Sequence, residues 1–215
     1  MAQLLDLLLP PACAACGRAG SILCDRCVAT MGPPDPGAFV VADAGVVIGD
    51  VLTLGIGALA FDGSARAALN RLKYAGAARV AAPLAAVVGP AFGRLVRISG
   101  PTLLVPVPIH PSRRRERGYN QATLLAHWLA RRHGLQVCEL LERRSSTERQ
   151  HRLDRAARLR NLRGAISMRA DALVPPVATV VDDILTTSAT FEACASVLRE
   201  AGARKVYGFA IAREV

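Results

Sequence analysis

The stretch from Val177 to Thr190 constrains this chain more than any other. It opens as an apolar, β-branched run, Val177 to Val181, with the pattern of a buried strand. Two adjacent carboxylates, Asp182 and Asp183, come next, and then a loop of small and hydroxyl residues from Thr186 to Thr190. Phe191, Ala195 and Leu198 then recur at helical spacing. Strand, polar loop and helix in that order form half of a βαβ unit. In open α/β sheets, ligands bind just beyond the carboxyl end of such a strand. A small-residue loop at a helix N-terminus presents backbone N–H groups and the positive end of the helix dipole, which suits a phosphate. The paired acids repel a phosphate but suit sugar hydroxyls or a divalent cation. The stretch is therefore expected to hold a phosphate beside a sugar diol.

The rest of the chain supplies partners for that strand. Val46 to Phe61 is apolar and dotted with glycine, as one or two strands would be, and Ser64 is placed to cap a helix running through Leu72. Lys73-Tyr74-Ala75-Gly76 reads as a basic, flexible turn before a helix over about Val80–Leu95. Leu103 to Ile109 is a second buried strand, ended by its prolines at about Val105. Arg113, Arg114, Arg115 and Arg117 then fall between a strand end and a helix start, where anions are commonly held. The helix after them carries an apolar face of Leu124, Leu125, Trp128 and Leu129. From Glu142 to Arg163 the chain is strongly basic with few large apolar residues, the composition of a surface helix or a flap. Arg204 to Ile211 makes a last strand. This order predicts an α/β fold, a mainly parallel sheet with helices on both faces.

The N-terminus holds a different module. Cys13-x-x-Cys16 and Cys24-x-x-Cys27 are separated by seven residues, and two such pairs can wrap four thiolates around one Zn²⁺. Two disulfides or redox-active pairs remain the alternatives. Cys138 and Cys194 stand among apolar residues and are expected in the core. Three prolines and two glycines between Met31 and Ala38 read as a linker. The chain thus divides into a knuckle with linker at 1–37 and an α/β domain at 38–215.

Composition narrows the partners. A net charge of +10 favours phosphorylated or polyanionic ligands, while 4% aromatic residues supply few platforms for stacking bases. The run from Leu4 to Leu9 lacks a preceding basic residue and is broken by Asp6, unlike a signal peptide. A cytoplasmic protein without membrane insertion is expected, with its cysteines reduced.

Taken together, the motifs resemble those of the ComF family (ComFC/GntX-type phosphoribosyltransferase-like proteins). Val180 to Thr190 resembles the phosphoribosyl diphosphate (PRPP) fingerprint of type I phosphoribosyltransferases. Around it stand the four-cysteine knuckle, Leu72-Lys73-Tyr74-x-Gly76, Val105-Pro106-Val107-Pro108 and Arg117-Gly118-Tyr119-Asn120-Gln121. Arg144-x-x-Thr147-x-x-Gln150 and Arg158-x-x-Asn161-x-x-Gly164 complete the set, which covers nearly the whole chain in order.

The resemblance implies a type I phosphoribosyltransferase-like fold and a role for each motif. Asp182 and Asp183 would hold the ribose hydroxyls, directly or through Mg²⁺. Thr186, Thr187, Ser188, Ala189 and Thr190 would wrap the 5-phosphate, and Lys73, Tyr74 and Gly76 would form the pyrophosphate loop. Arg117 would add charge against pyrophosphate, and residues 143–163 would close over the site. The implied reaction is displacement of pyrophosphate at ribose C1 through an oxocarbenium-like transition state, with no dedicated nucleophile or general base. The family also implies DNA uptake in competent bacteria. A non-catalytic reading follows, in which knuckle and arginines contact single-stranded DNA or DNA-processing proteins. A homodimer is a further expectation. The fingerprint departs at Ser188, where glycine is usual: a position needing positive φ would fit serine poorly. Ile166 stands where the family commonly has an aromatic residue.

Overall fold

The computed structural model describes residues 10–34, 46–47, 51–74, 76–143, 164–170, 172–186 and 188–214. The Leu4–Leu9 run, Thr187 and most of the basic 143–163 segment lie outside them, as do Arg144, Thr147, Gln150, Arg158 and Asn161.

A six-stranded sheet organises the chain. Its strands are β1 (Val46–Val47), β2 (Leu54–Ala60), β3 (Leu103–Pro106), β4 (Gln136–Val137), β7 (Val177–Leu185) and β8 (Lys205–Arg213), in the spatial order β1-β2-β8-β7-β3-β4. Every neighbouring pair is parallel except β1 with β2, an antiparallel edge. A separate antiparallel pair, β5 (Leu141–Arg143) with β6 (Ile166–Met168), stands beside it. β7 is central and almost wholly buried, as expected of a strand with parallel neighbours on both edges and helices on both faces.

The helices divide between the two faces. α1 (Asp25–Ala29) belongs to the knuckle. α2 (Gly63–Leu72), α3 (Ala81–Ser99, entered by a 3₁₀ turn at Ala78–Val80) and α5 (Gln121–His133) pack one face with Val181, Phe209 and Ile211. α6 (Ala189–Glu200) covers the other with Val180, Val105 and Ala210. Residues 78–99 are long and apolar enough to cross a membrane by length and composition. Here they turn Leu84, Val88, Phe92 and Leu95 into the core. Cys13, Leu23 and Cys27 share that same apolar cluster, and Thr30 Oγ1 meets Ser64 Oγ at 2.8 Å, so the knuckle is seated on α2.

Three local expectations are corrected. Ser64 lies inside the first turn of α2, with its hydroxyl on Thr30, while Asp62, in extended backbone, takes the N-cap position. Residues 111–117 are helical (α4, Pro111–Arg117), with Pro111 at its first turn and Gly118 ending it at φ 81°. Cys138 is exposed just after the short edge strand β4, whereas Cys194 is fully buried under the sheet.

Candidate functional site

The direction of the crossovers locates the site. β3 continues through α5 on one face to β4, and β7 continues through α6 on the other face to β8. Adjacent strands whose connections diverge in this way open a crevice at their carboxyl ends. β3 parts from β7 after the Pro106–Val181 pair, closed by Val107 N–H donating to Val181 O at 2.9 Å. β7 runs on to Leu185 against β8. Asp182 and Asp183 are thus inside a strand that projects past its neighbour, not in the loop beyond it.

The two carboxyl groups lie close enough to interact side chain to side chain, and the charge of Lys73 acts on both. Asp183 points to the face of α2, where its Oδ2 lies 3.2 Å from Lys73 Nζ. That oxygen is buried and meets no other donor among the described residues. Asp182 also feels the charge of Arg143. Its Oδ1 accepts the N–H of Asp183 at 2.8 Å. Burial pushes the Asp182 carboxyl well above the usual range, and the charge of Asp183 pushes it further.

Two residues of the Arg117–Gln121 motif build the frame of this crevice. Tyr119 Oη donates to both Leu72 O and Tyr74 O, each at 2.7 Å, and so grips the turn on either side of Lys73. Asn120 caps α5 through its Oδ1, which accepts from Ala122 N, while its Nδ2 donates to Val107 O at the exit of β3. Arg117 donates to Gln121 Oε1 at 2.9 Å. The sequence reading assigned function to Lys73 and Arg117 and missed Tyr119 as the residue that joins the second motif to the first. No spacing rule reveals such a contact across 45 residues.

At the far side, Ser188 stands at the N-cap of α6 with φ −62° and ψ −5°, the right-handed region open to any residue. No glycine is required there. Ser188 and Ala189 are buried, Thr190 half-buried and Thr186 exposed. Gly76 takes φ 79° in the Lys73 turn, and Tyr74 is exposed.

The knuckle is the second site. The Sγ atoms of Cys13, Cys16, Cys24 and Cys27 all lie within 4.8 Å of one another, and none is in a disulfide. Cys16 and Cys24 Sγ are 3.8 Å apart. A tetrahedron with Zn–S bonds of about 2.3 Å has edges of about 3.8 Å. Burial raises the Cys13 thiol, but backbone N–H donors from Cys16, Cys24 and Ala15 outweigh it and bring it down to about 6. Burial, then contact with the Cys24 and Cys16 sulfurs, pushes Cys27 up to about 12. Sulfurs crowded at this spacing repel as thiolates and fit a cation at their centre; the set suits zinc.

Fold and site together define an α/β protein with a switch-point crevice of opposed lysine and carboxylate, seated on a four-cysteine knuckle. No family model matches the chain. It is 32% identical over 116 residues to Competence protein F of Haemophilus influenzae, covering 53% of this chain and 51% of that protein. It is 31% identical over 152 residues to DNA utilization protein YhgH of Salmonella typhi, covering 67% and 65%. Competence protein ComFC of Streptococcus pneumoniae is 31% identical over 114 residues, covering 51% and 47%. The matched stretches span about half to two thirds of the length of these curated relatives. These similarities support the ComF resemblance drawn from the motifs.

Proposed function

We propose that this chain is a PRPP-binding, phosphoribosyltransferase-like protein of the ComF type that serves DNA uptake or use. The contact between Lys73 and Asp183 at the switch point carries the reading. A lysine and a carboxylate held together in a crevice are the two charges that a sugar diphosphate needs: the ammonium for its pyrophosphate, the carboxylate for its hydroxyls. Ligand entry exchanges one ion pair for an ammonium–phosphate contact and carboxylate–hydroxyl hydrogen bonds, so neither charge is left bare.

The remaining groups take complementary tasks. Backbone N–H groups at Ser188 to Thr190, at the start of α6, receive the 5-phosphate, with Thr186 beside them. Asp182 and Asp183, adjacent at the projecting end of β7, suit the sugar hydroxyls, directly or through a divalent cation. Mg²⁺ carried with the pyrophosphate, within reach of Asp183, would neutralise the leaving group's charge. Lys73 stabilises that same charge as the bond at C1 breaks, and Tyr119 keeps the lysine turn in place. Arg117, anchored on Gln121, adds positive potential. The carboxylates favour the cationic character that develops at the ribose. The names of the similar proteins, Competence protein F and DNA utilization protein YhgH, support the link to DNA uptake or use.

A second reading keeps the fold as scaffold and gives the work to its cations. α4 places Arg113, Arg114 and Arg115 on the surface, which favours contact with the backbone of single-stranded DNA or with an acidic DNA-processing partner. Calorimetric titration of PRPP with Mg²⁺ separates the two. Saturable heat with wild type, lost in Asp182→Asn/Asp183→Asn, supports ligand binding. Absence of wild-type heat beside steeply salt-dependent single-strand binding supports the scaffold.

A further inference from the structure

A cleft of about 340 Å³ lies beside the proposed PRPP site, between the exit of β3, α4 and the β5–β6 pair. Its charged wall is built on Glu139. Glu139 Oε2 accepts from Arg114 Nη1 at 3.1 Å and from Arg169 Nη2 at 2.9 Å, while Oε1 accepts from the Thr123 hydroxyl at 2.7 Å. Burial raises this carboxyl, yet the Thr123 and arginine contacts outweigh it and hold it below the usual range. Glu139 therefore stays ionised and fixes two guanidiniums side by side, each with N–H donors left over for another acceptor.

The rest of the lining includes the apolar side chains of Pro106, Pro108, Ile109 and Leu141. Arg143 and Glu142 complete the lining; on the Glu139 wall two guanidiniums share one carboxylate and leave one positive charge. One surplus charge matches a monoanion, and the planar forks of two fixed arginines match a carboxylate. The prolines, isoleucine and leucine of the same lining match a flat apolar body. Arg143 lines the cleft and also interacts electrostatically with Asp182, so the cleft adjoins the residues assigned to the ribose.

We propose that this cleft is a binding subsite for a small, flat molecule bearing a carboxylate. Its role rests on the phosphoribosyl reading: the occupant is the second substrate. A nitrogen of the occupant, separate from the carboxylate, gives its lone pair to the new bond to C1 as the C1–oxygen electron pair leaves with pyrophosphate, and that nitrogen's proton passes to water. Arg114 and Arg169 hold the carboxylate and so select the acceptor; Glu139 positions them.

Benzoate is the probe, with benzamide as its uncharged counterpart. Each is titrated calorimetrically into the full chain as wild type, Arg114→Gln and Arg169→Gln, without PRPP. Benzoate should bind wild type saturably and benzamide about tenfold more weakly, in line with the loss of one charge-assisted contact. Each glutamine variant should weaken benzoate about tenfold while melting within a few degrees of wild type, because both arginine side chains are about half exposed. Equal affinity for benzamide, no benzoate binding by wild type, or unchanged affinity in both variants overturns the proposal. A parallel PRPP titration into wild type keeps the claims apart. Benzoate binding without PRPP binding refutes the phosphoribosyl role alone, and PRPP binding without benzoate binding refutes the cleft alone.

Discussion

Replacing Tyr119 by phenylalanine tests how the crevice is assembled. The ring stays, and what is lost is one hydroxyl that donates to Leu72 O and Tyr74 O at 2.7 Å each. A single O–H shared between two acceptors counts as about one hydrogen bond, a net loss of about 1 kcal/mol. Tyr74 is exposed, so water can replace the hydroxyl at its carbonyl without a desolvation penalty. For a chain of this size that amounts to a fall of roughly 2–4 °C in Tm. The local effect should exceed the global one. Amide hydrogens at Lys73 and Gly76 should exchange faster, while those of β7 and β8 keep their protection. Differential scanning fluorimetry and hydrogen exchange by mass spectrometry measure both quantities on one preparation. Unchanged exchange over residues 71–77, or loss of protection spread evenly over the sheet, would refute the role given to Tyr119.

Other perturbations probe different links. Asp182→Asn should stabilise the fold increasingly as pH rises. The raised carboxyl of the folded state holds its proton to higher pH than the unfolded chain does. Its contribution is therefore greatest in acid and is lost as pH rises through the folded value. Melting curves of both proteins from acid to neutral pH should diverge upward, and convergence toward neutrality would contradict that sign. Gly208→Ala places a Cβ 2.8 Å from Phe191 Cδ2 under the centre of the sheet. It should cost about 1–3 kcal/mol by chemical denaturation; a neutral result would mean that Phe191 can move aside. Metal analysis should return about one Zn per chain. Chelation should lower Tm, because Cys13 and Cys27 share the core of α2 and α3. A metal-free preparation of undiminished stability would contradict the four-thiolate reading.

Much of this architecture was legible because its signals are local. The apolar runs at Val177 and Leu103 and the helical spacing in α3 and α6 each depend on a few neighbouring residues, and they suffice to order a parallel sheet. The two cysteine pairs were legible for the same reason. Cys138 was misplaced because apolar neighbours in sequence do not guarantee burial at a two-residue edge strand. The 111–117 helix was hidden by four arginines that read equally well as a basic loop. β5 and β6 are three residues each, too short for any period to show. The candidate site divides in the same way: Lys73 and Asp183 each sit in a recognisable motif, but their pairing needs the sheet to bring residues 110 positions apart to 3.2 Å. Ser188 looked like a poor substitute for glycine from sequence, and only its backbone angles show an ordinary conformation.

The central claim is that Lys73 and Asp183 are a pyrophosphate contact and a ribose contact held together until ligand separates them. The most direct measurement is a calorimetric comparison of PRPP with ribose 5-phosphate, both with Mg²⁺, in wild type and Lys73→Ala. PRPP should bind wild type more tightly than ribose 5-phosphate. Lys73→Ala should weaken PRPP by about tenfold or more, the loss of a charge-assisted contact, and leave ribose 5-phosphate nearly unchanged. PRPP binding no tighter than ribose 5-phosphate, or equal in wild type and variant, would contradict it.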